Sequence, residues 1–229
     1  MNVAPSLAAR TRIKICGLTR EQEVDAAVEA GADAVGFVLY ASSPRAVTVQ
    51  RAAELASRLP PFVSPVLLFV NEDAARSVAA LSSVAGSIAQ FHGDESPEQC
   101  WEGTGRGTYR FMRAARIPLG AAGAGFDLVK YASDYSRAQA ILLDAHVEAY
   151  GGGGKAFDWS LLPPAVDAHL VLSGGLTPAN VGDGIRQLRT RCKSLSVDVS
   201  SGVEASKGIK DAARIREFVA AVRAADASP

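Results

Sequence analysis

The sequence predicts an α/β fold in which eight parallel strands close into a single (β/α)8 barrel, the TIM barrel. Short apolar, β-branched runs alternate with amphipathic stretches along the whole chain of 229 residues. Several of these runs, such as AVGFVLY, VLLFV and ILLD, are apolar almost throughout, which is typical of parallel strands buried on both faces. An open doubly wound sheet is the main rival, but eight βα units in one chain of this length favour the closed barrel.

The eight candidate strands share an apolar, β-branched character and are separated by stretches long enough to hold a helix. One of them ends at Cys16 and another ends at Asp144. No linker-like or low-complexity segment interrupts the alternation, so we expect one domain over residues 1–229, with an ordered core of about 12–224. The predicted strands are residues 12–16, 34–40, 66–70, 87–91, 108–114, 138–144, 168–172 and 194–200.

Five helices are predicted, four between these strands and one after the last of them. Thr19 is the expected N-cap of the first helix, with Gln22 at the capping-box position and Gly31 just beyond the end. Pro178 is expected in the first turn of a later helix. Two connections have weak helical patterns, because residues 120–130 are rich in Gly and Ala and residues 151–162 are mostly typical of a loop. The predicted helices are residues 19–30, 48–59, 72–82, 177–189 and 210–225.

Composition excludes several classes of function. Lys plus Arg and Asp plus Glu each number 24, so there is no electrostatic reason to expect nucleic acid or an anionic membrane as partner. Cys16, Cys100 and Cys192 lack the spacing of a disulfide framework or zinc site, which favours a reducing, cytoplasmic location. No apolar run approaches the ~18 residues of a membrane span. Residues 1–12 lack a signal-peptide core, and we expect them and residues 224–229 to be frayed ends.

Reactive side chains fall at the carboxyl ends of the predicted strands, where barrel enzymes carry their chemistry. They are Cys16, Gln90 with His92, Asp144, and Asp198. Each has an ordinary structural explanation, since a strand-end cysteine is usually a small buried hydrophobe and an Asp often caps a loop. Their convergence on one end of the barrel is what favours an active site.

Two glycine-containing loops predict a phosphate site. Strand seven runs into SGGLTPANV (173–181) and strand eight into SSGVEASKG (200–208), and these two loops commonly bind phosphate in barrels through backbone amides and a helix N-terminus. A third run, Gly151–Gly154 before Lys155, is not a P-loop, because Ala149 and Ala156 stand where that motif needs Gly and Ser or Thr. We expect a mobile loop there that closes over substrate. GTGRG (103–107) and GAAGAG (120–125) do not match a dinucleotide fingerprint.

Taken together, eight segments of the sequence resemble the phosphoribosylanthranilate isomerase family, in the same order from strand one to strand eight. The resemblance implies an Amadori rearrangement of N-(5′-phosphoribosyl)anthranilate to 1-(o-carboxyphenylamino)-1-deoxyribulose 5-phosphate in tryptophan biosynthesis. It implies no cofactor and no metal. The segments are KICGLT (14–19), GFVLYASSPRAV (36–47), LLFVN (67–71), QFHGDE (90–95), LLDA (142–145), GGGGKAFDW (151–159), SGGLTPANV (173–181) and DVSSGVE (198–204).

The resemblance also implies roles for the acid and the base. Cys16 stands at the family's general base, which takes the proton from ribose C2′, and Asp144 at its general acid, which protonates the furanose ring oxygen. The acid has to hold a proton near neutral pH, which requires a partly desolvated carboxyl group. The base has to be a thiolate, which a nearby positive charge would favour. Lys14 would share the barrel-facing side of Cys16 if the strand is regular.

The implied binding residues surround this pair. Arg45 stands where the family recognises the anthranilate carboxylate, for which a bidentate guanidinium is suited. Gln90 and His92 would line the pocket without moving a proton, and Asp198 matches a position near the substrate. Departures from the family are Gly153 for a usual Thr, Phe91 for Leu and Ser173 for Ala. The implied phosphate ligands are Gly174, Gly175, Ser201 and Gly202.

Two alternatives remain at this stage. The first is a related isomerase that acts on the aminoaldose of histidine biosynthesis, although such enzymes resemble one another in using two aspartates, and Cys16 argues against it. The second is an inactive barrel that only binds phosphorylated ligands. The oligomeric state is left open between a monomer and a homodimer.

Overall fold

The computed structural model describes residues 10–119, 123, 125–145 and 158–228. Eight parallel strands close into a barrel in the order of the sequence, and β8 pairs with β1 to complete it. The predicted (β/α)8 barrel is therefore confirmed and the open sheet is excluded. The strands are β1 (Arg12–Cys16), β2 (Ala34–Val38), β3 (Ser64–Phe69), β4 (Ile88–Phe91), β5 (Phe111–Ile117), β6 (Ala140–Ala145), β7 (Val166–Leu172) and β8 (Cys192–Val199).

Seven helices lie in the described part of the chain. Most match the predictions within a few residues, and Asp73 and Thr48 cap α3 and α2 through their side-chain oxygens. The helices are α1 (Glu21–Ala30), α2 (Val49–Ala56), α3 (Ala74–Ser83), α4 (Pro97–Gly103), α5 (Leu128–Asp134), α6 (Val181–Leu188) and α7 (Ala212–Ala227). A two-stranded hairpin of β9 (Glu204–Ser206) and β10 (Ile209–Lys210) precedes α7.

Helix α4 was not predicted, although its capping signals are present in the sequence. Pro97 occupies the first helical turn, and Ser96 and Gln99 form a reciprocal capping box. The fifth strand was placed three residues too early, because residues before it form a tight turn. Gly105, Arg106 and Gly107 all have positive φ there, so the chain becomes extended only at Phe111.

The start of α1 also differs from the prediction. The N-cap is Arg20 rather than Thr19. The side chain that accepts a hydrogen bond from the N-cap backbone amide is that of Glu23 rather than that of Gln22. One oxygen of Glu23 accepts from the Thr19 amide at 2.8 Å and the Arg20 amide at 3.3 Å. A charged carboxylate binds these amides more strongly than a neutral side chain would. At the other end, Gly31 has φ 94° and closes the helix as predicted.

Three predictions near the end of the chain were wrong. Pro178 precedes α6, which starts only at Val181. The residues before Val181 belong to the loop after β7, which the Asn180 side chain closes. Lys210 lies in β10 rather than in the last helix. The tail is helical to Ala227 instead of frayed, because Asp226 accepts hydrogen bonds from the Thr11 side chain at 2.6 Å and the Thr11 amide at 3.0 Å.

The barrel has a core on each side of its wall. Outward residues of the strands, such as Ile15 and Phe37, pack with the helices in one large cluster. Inside the barrel, Ala114, Leu142 and Val171 form an apolar layer, so the interior is packed with side chains and is not an open channel. No helix in the described ranges is long and apolar enough to cross a membrane. The predicted mobile loop Gly151–Gly154, Lys155, the departure Gly153 and residues 1–9 lie outside the described residues.

Candidate active site

The predicted catalytic residues lie at the carboxyl end of the barrel on two different strands. Cys16 ends β1 and Asp144 stands one residue before the end of β6. Their fractional exposures are 4% and 5%, so each reactive group is largely withdrawn from water. Because β1 and β6 are separated by two strands on one side of the closed barrel and four on the other, the two groups face the mouth from different directions.

Cys16 has a buried ion pair beside it. Lys14, two residues earlier on β1, extends to the same inner side and donates from Nζ to Asp198 Oδ1 of β8 at 2.7 Å. These residues are direct neighbours in the pairing of β1 with β8. Ser173 at the end of β7 donates to the other oxygen of Asp198 at 3.3 Å. The alternation of a regular strand therefore places Lys14 on the same side as Cys16, as the sequence predicted, and the structure adds that the ammonium group interacts with the thiol.

Gly36 leaves the space that this cluster needs. It pairs with Cys16 across β1 and β2, and a Cβ added at Gly36 would lie only 2.7 Å from Cys16 Sγ and 3.1 Å from Lys14 Cε. Both distances are below ordinary van der Waals contact. Any larger residue at this position would have to displace the thiol, so Gly36 is a site residue that the sequence analysis did not single out.

Burial and charge act in opposite directions on the thiol. Burial raises the pKa of Cys16, and the ammonium of Lys14 lowers it without fully compensating. Burial lowers the pKa of Lys14, but the adjacent Asp198 carboxylate outweighs this and the net pKa is raised. Lys14 is therefore a permanent positive charge at neutral pH. It is the group in contact with Cys16 that favours the thiolate.

Asp144 is held by a chain of hydrogen bonds from β4. Its Oδ2 lies 2.9 Å from His92 Nε2, and His92 Nδ1 lies 2.9 Å from the Gln90 side-chain nitrogen. Because the amide nitrogen of Gln90 can only donate, His92 Nδ1 accepts, and the neutral ring therefore carries its proton on Nε2 and donates it to Asp144. The other oxygen of Asp144 accepts from the Ala145 amide at 2.9 Å. Gln90 and His92 therefore act on the site indirectly, because they orient the carboxyl group of Asp144.

The two predicted phosphate loops lie against each other. Gly174 and Gly175 both have positive φ, 74° and 68°, which a glycine adopts without strain. A Cβ added at Gly202 would lie 1.9 Å from the Leu176 carbonyl oxygen, so the two loops touch backbone to backbone. Asn180 closes the first loop by accepting from the Thr177 amide at 2.8 Å and donating to the Gly175 carbonyl at 3.0 Å.

This arrangement suits an anion. The segment 173–175 leads towards the N-terminus of α6, and Ser201–Gly202 follows the end of β8 in a short 3-10 turn. Backbone amides in such turns provide hydrogen-bond donors without a side chain between them and the ligand. All four predicted phosphate residues therefore lie in two adjoining loops, at the same end of the barrel as Cys16 and Asp144.

Arg45 was predicted as a ligand of the substrate carboxylate, and in the structure it is already paired with a carboxylate of the chain itself, that of Glu204. Arg45 is 7% exposed, and its Nε and Nη2 donate to the two oxygens of Glu204 at 2.6 and 2.9 Å. Lys210 Nζ donates to the same Glu204 at 2.7 Å. A Cβ added at Gly17 would lie 2.5 Å from Arg45 Cδ and 3.2 Å from Ser200 Oγ, which places Arg45 between the loops that follow β1 and β8.

Glu204 and Lys210 were missed as site residues. The sequence held a partial signal for Glu204, because it ends the DVSSGVE segment, but nothing marked Lys210 apart from its expected place in a helix. Glu204 lies 159 residues from Arg45 along the chain. Only closure of the barrel, which brings the end of β8 beside β1 and β2, shows that the two side chains meet.

Comparison with known proteins shows the family to which the chain belongs. The family model described as N-(5'phosphoribosyl)anthranilate (PRA) isomerase matches residues 13–221. The N-(5'-phosphoribosyl)anthranilate isomerase of Methylibium petroleiphilum is 60% identical over 218 residues, which are 95% of this chain and 96% of the relative.

Solved structures of the same family superpose over nearly the whole chain. The phosphoribosyl anthranilate isomerase of Thermotoga maritima has a TM-score of 0.81 and 38% identity, and covers 93% of this chain and 99% of its own. A second such structure, in complex with reduced 1-(o-carboxyphenylamino)-1-deoxyribulose 5-phosphate, has a TM-score of 0.74, 34% identity and the same coverage. The chain belongs to the phosphoribosylanthranilate isomerase family.

Proposed function

We propose that this chain isomerises N-(5′-phosphoribosyl)anthranilate to 1-(o-carboxyphenylamino)-1-deoxyribulose 5-phosphate, the Amadori step of tryptophan biosynthesis, with Asp144 as general acid and Cys16 as general base. The observation that carries the assignment is the pairing of a carboxyl group on β6 with a thiol on β1 at one end of the barrel, each buried and each with its own polar partners. An acid and a base on different sides of one mouth can act on different atoms of one sugar.

Asp144 and Cys16 each make one proton transfer, and a tautomerisation then completes the reaction. Asp144 gives a proton to the furanose ring oxygen, the bond from that oxygen to C1′ breaks, and the anilino nitrogen shares its electron pair to form a protonated Schiff base. The thiolate of Cys16 then removes the proton from C2′, and the electrons of that C–H bond form the double bond of an enolamine. Loss of the enol proton and protonation of C1′ give the ketone.

The remaining predicted residues support these steps by binding. Gly174, Gly175, Ser201 and Gly202 hold the 5′-phosphate through the two adjoining loops. Arg45 binds the anthranilate carboxylate, and Gln90 and His92 orient the acid. Asp198 fixes Lys14 beside the base.

The test compares Cys16→Ala and Asp144→Asn with wild type, on phosphoribosylanthranilate generated in situ. We expect each variant to lose roughly a hundredfold or more in kcat, the effect of removing a general acid or base. Matched controls are Cys192→Ala, a half-buried cysteine at the opposite end of the barrel, and Asp167→Asn, an exposed carboxylate. Both controls should keep wild-type rates.

Retention of activity by folded Cys16→Ala would show that another residue is the base. Inactivity of the wild type on this substrate would reject the assignment, and the aminoaldose of histidine biosynthesis would be assayed next. A single small phosphorylated substrate is the partner that these residues fit, and the balanced charge of the chain gives no reason to expect nucleic acid or an anionic membrane. We infer a cytoplasmic enzyme, consistent with its free cysteines, that works as a monomer or a homodimer, which light scattering distinguishes.

A further inference from the structure

The cluster of Arg45, Glu204 and Lys210 has more positive charge than its own carboxylate neutralises. The side chains of Arg45, Glu204 and Lys210 are 9%, 6% and 0% exposed. Lys210 Nζ also donates to the Ser200 carbonyl at 3.0 Å and to Ser200 Oγ at 3.2 Å, but these acceptors are neutral. Two cations thus share one carboxylate where water screens little, so these three side chains together carry a net positive charge that attracts an anion.

Glu204 remains ionised in this setting. Burial raises its pKa, but the hydrogen bonds from Arg45 and Lys210 outweigh burial, and the net pKa lies below the ordinary value of 4.5. Burial lowers the pKa of Lys210, and the hydrogen bond to Glu204 compensates only in part. Lys210 is held in position by its hydrogen bonds to Glu204 and to Ser200, and Ser200 directly precedes the second phosphate loop residue pair, Ser201–Gly202.

The geometry of the pair leaves Arg45 able to bind a second carboxylate. A guanidinium group has five N–H donors in one plane, and Glu204 takes one from Nε and one from Nη2. The edge formed by Nη1 and Nη2 has the spacing for a further bidentate carboxylate. Because Glu204 holds the Nε–Nη2 edge of the guanidinium group, it also fixes the direction in which the Nη1–Nη2 edge points.

We infer that Glu204, anchored by Lys210, is the positioning residue that aims Arg45 at the aromatic carboxylate of the substrate, and that it thereby determines selectivity for the carboxylated aniline. The inference rests on the proposed function, because it takes Arg45 as the carboxylate ligand. The hairpin of β9 and β10 carries both Glu204 and Lys210, and its Lys210 amide is tied to Glu23 of α1 at 2.9 Å. The positioning pair is therefore part of a rigid unit rather than a free loop.

The experiment measures the affinity of two inhibitors. One is reduced 1-(o-carboxyphenylamino)-1-deoxyribulose 5-phosphate, and the other is the same compound without the ring carboxylate. Wild type should bind the carboxylated compound at least tenfold more tightly. In Glu204→Gln, which keeps the size of the side chain but removes its charge, this ratio should fall severalfold or more, while affinity for the compound without the carboxylate changes less than about threefold.

A second variant and a control separate positioning from folding. Lys210→Met leaves both bonds from Arg45 to Glu204 in place, so it should lower the ratio by a smaller factor, and Lys210→Arg should restore it. The matched control is Asp25→Asn, which makes the same carboxylate-to-amide change in an exposed bidentate pair with Arg58 at 2.9 and 2.6 Å. It should leave both affinities unchanged.

The outcomes are distinguishable. If wild type binds both compounds equally, Arg45 is not the carboxylate ligand and that part of the proposed function fails. If wild type discriminates and the ratio survives in Glu204→Gln and Lys210→Met, the positioning role is overturned. Equal loss of affinity for both compounds, accompanied by a lower Tm, assigns Glu204 a structural role and overturns the inference as well.

Discussion

Replacement of Gly202 by alanine tests the contact between the two phosphate loops. An added Cβ would lie 1.9 Å from the Leu176 carbonyl oxygen and 3.2 Å from Thr177 Cα. Closest carbon-to-oxygen contacts are about 3.3 Å, so the loops have to separate by about 1.4 Å. The φ of Gly202 is not positive, so alanine suits the backbone conformation and the cost is steric.

The magnitude follows from this displacement. Forcing atoms into a packed contact costs about 1–3 kcal/mol, which corresponds to a Tm lower by about 2–12 °C in a domain of this size. A separation of this size also breaks the amide hydrogen bonds that we propose to hold the phosphate. Hydrogen bonds to charged groups contribute about 1.5–3 kcal/mol each, so kcat/KM should fall at least tenfold.

The assay is steady-state kinetics together with competitive inhibition by inorganic phosphate and thermal unfolding. Inhibition by phosphate should weaken in parallel with the rise in KM. Gly182→Ala in α6 is the control, since its Cβ would meet the end of the Arg186 side chain at 3.4 Å and Ala225 Cβ at an ordinary contact distance of 3.8 Å, and alanine favours a helix by up to about 1 kcal/mol. If Gly202→Ala retained wild-type Tm and phosphate affinity, the backbone contact would not shape the phosphate site.

Three further predictions concern buried polar groups. Lys14→Met should raise the pKa of Cys16 further, because the ammonium that lowers it is lost; kcat/KM at pH 7 should fall about tenfold for each unit of pKa, and an unchanged pH profile would contradict this. His92→Asn should lower kcat at least tenfold with less effect on KM, because Asp144 loses the donor at 2.9 Å that orients it; a pure KM effect would assign His92 to substrate contact instead. Glu95→Gln should lower the free energy of unfolding in urea by about 3–5 kcal/mol, because it leaves the buried Arg113 of β5 without the carboxylate that lies 3.1 Å from its Nη1. A decrease of less than about 1 kcal/mol, which is typical of surface ion pairs, would refute that magnitude.

The sequence by itself determined the fold class and marked the residues that we predict to be reactive. Apolar runs and their spacing are local properties, and a parallel strand buried on both faces has to be apolar whatever lies beside it. Cys16 and Asp144 could be placed at strand ends for the same reason, since each directly follows or closes such a run. The helix α4 was also within reach, because Ser96 and Gln99 have the spacing of a capping box.

Only the tertiary structure decided which charges meet. Lys14 and Asp198 are 184 residues apart, and Arg45 and Glu204 are 159 apart. Neither pair has a local pattern, because ion pairing across a barrel depends on the register in which β8 closes against β1. That register sets the charge beside the thiol and the orientation of Arg45. Short stretches of the sequence are therefore enough to predict the residue types of the site, whereas the electrostatic interactions among these residues depend on closure of the barrel.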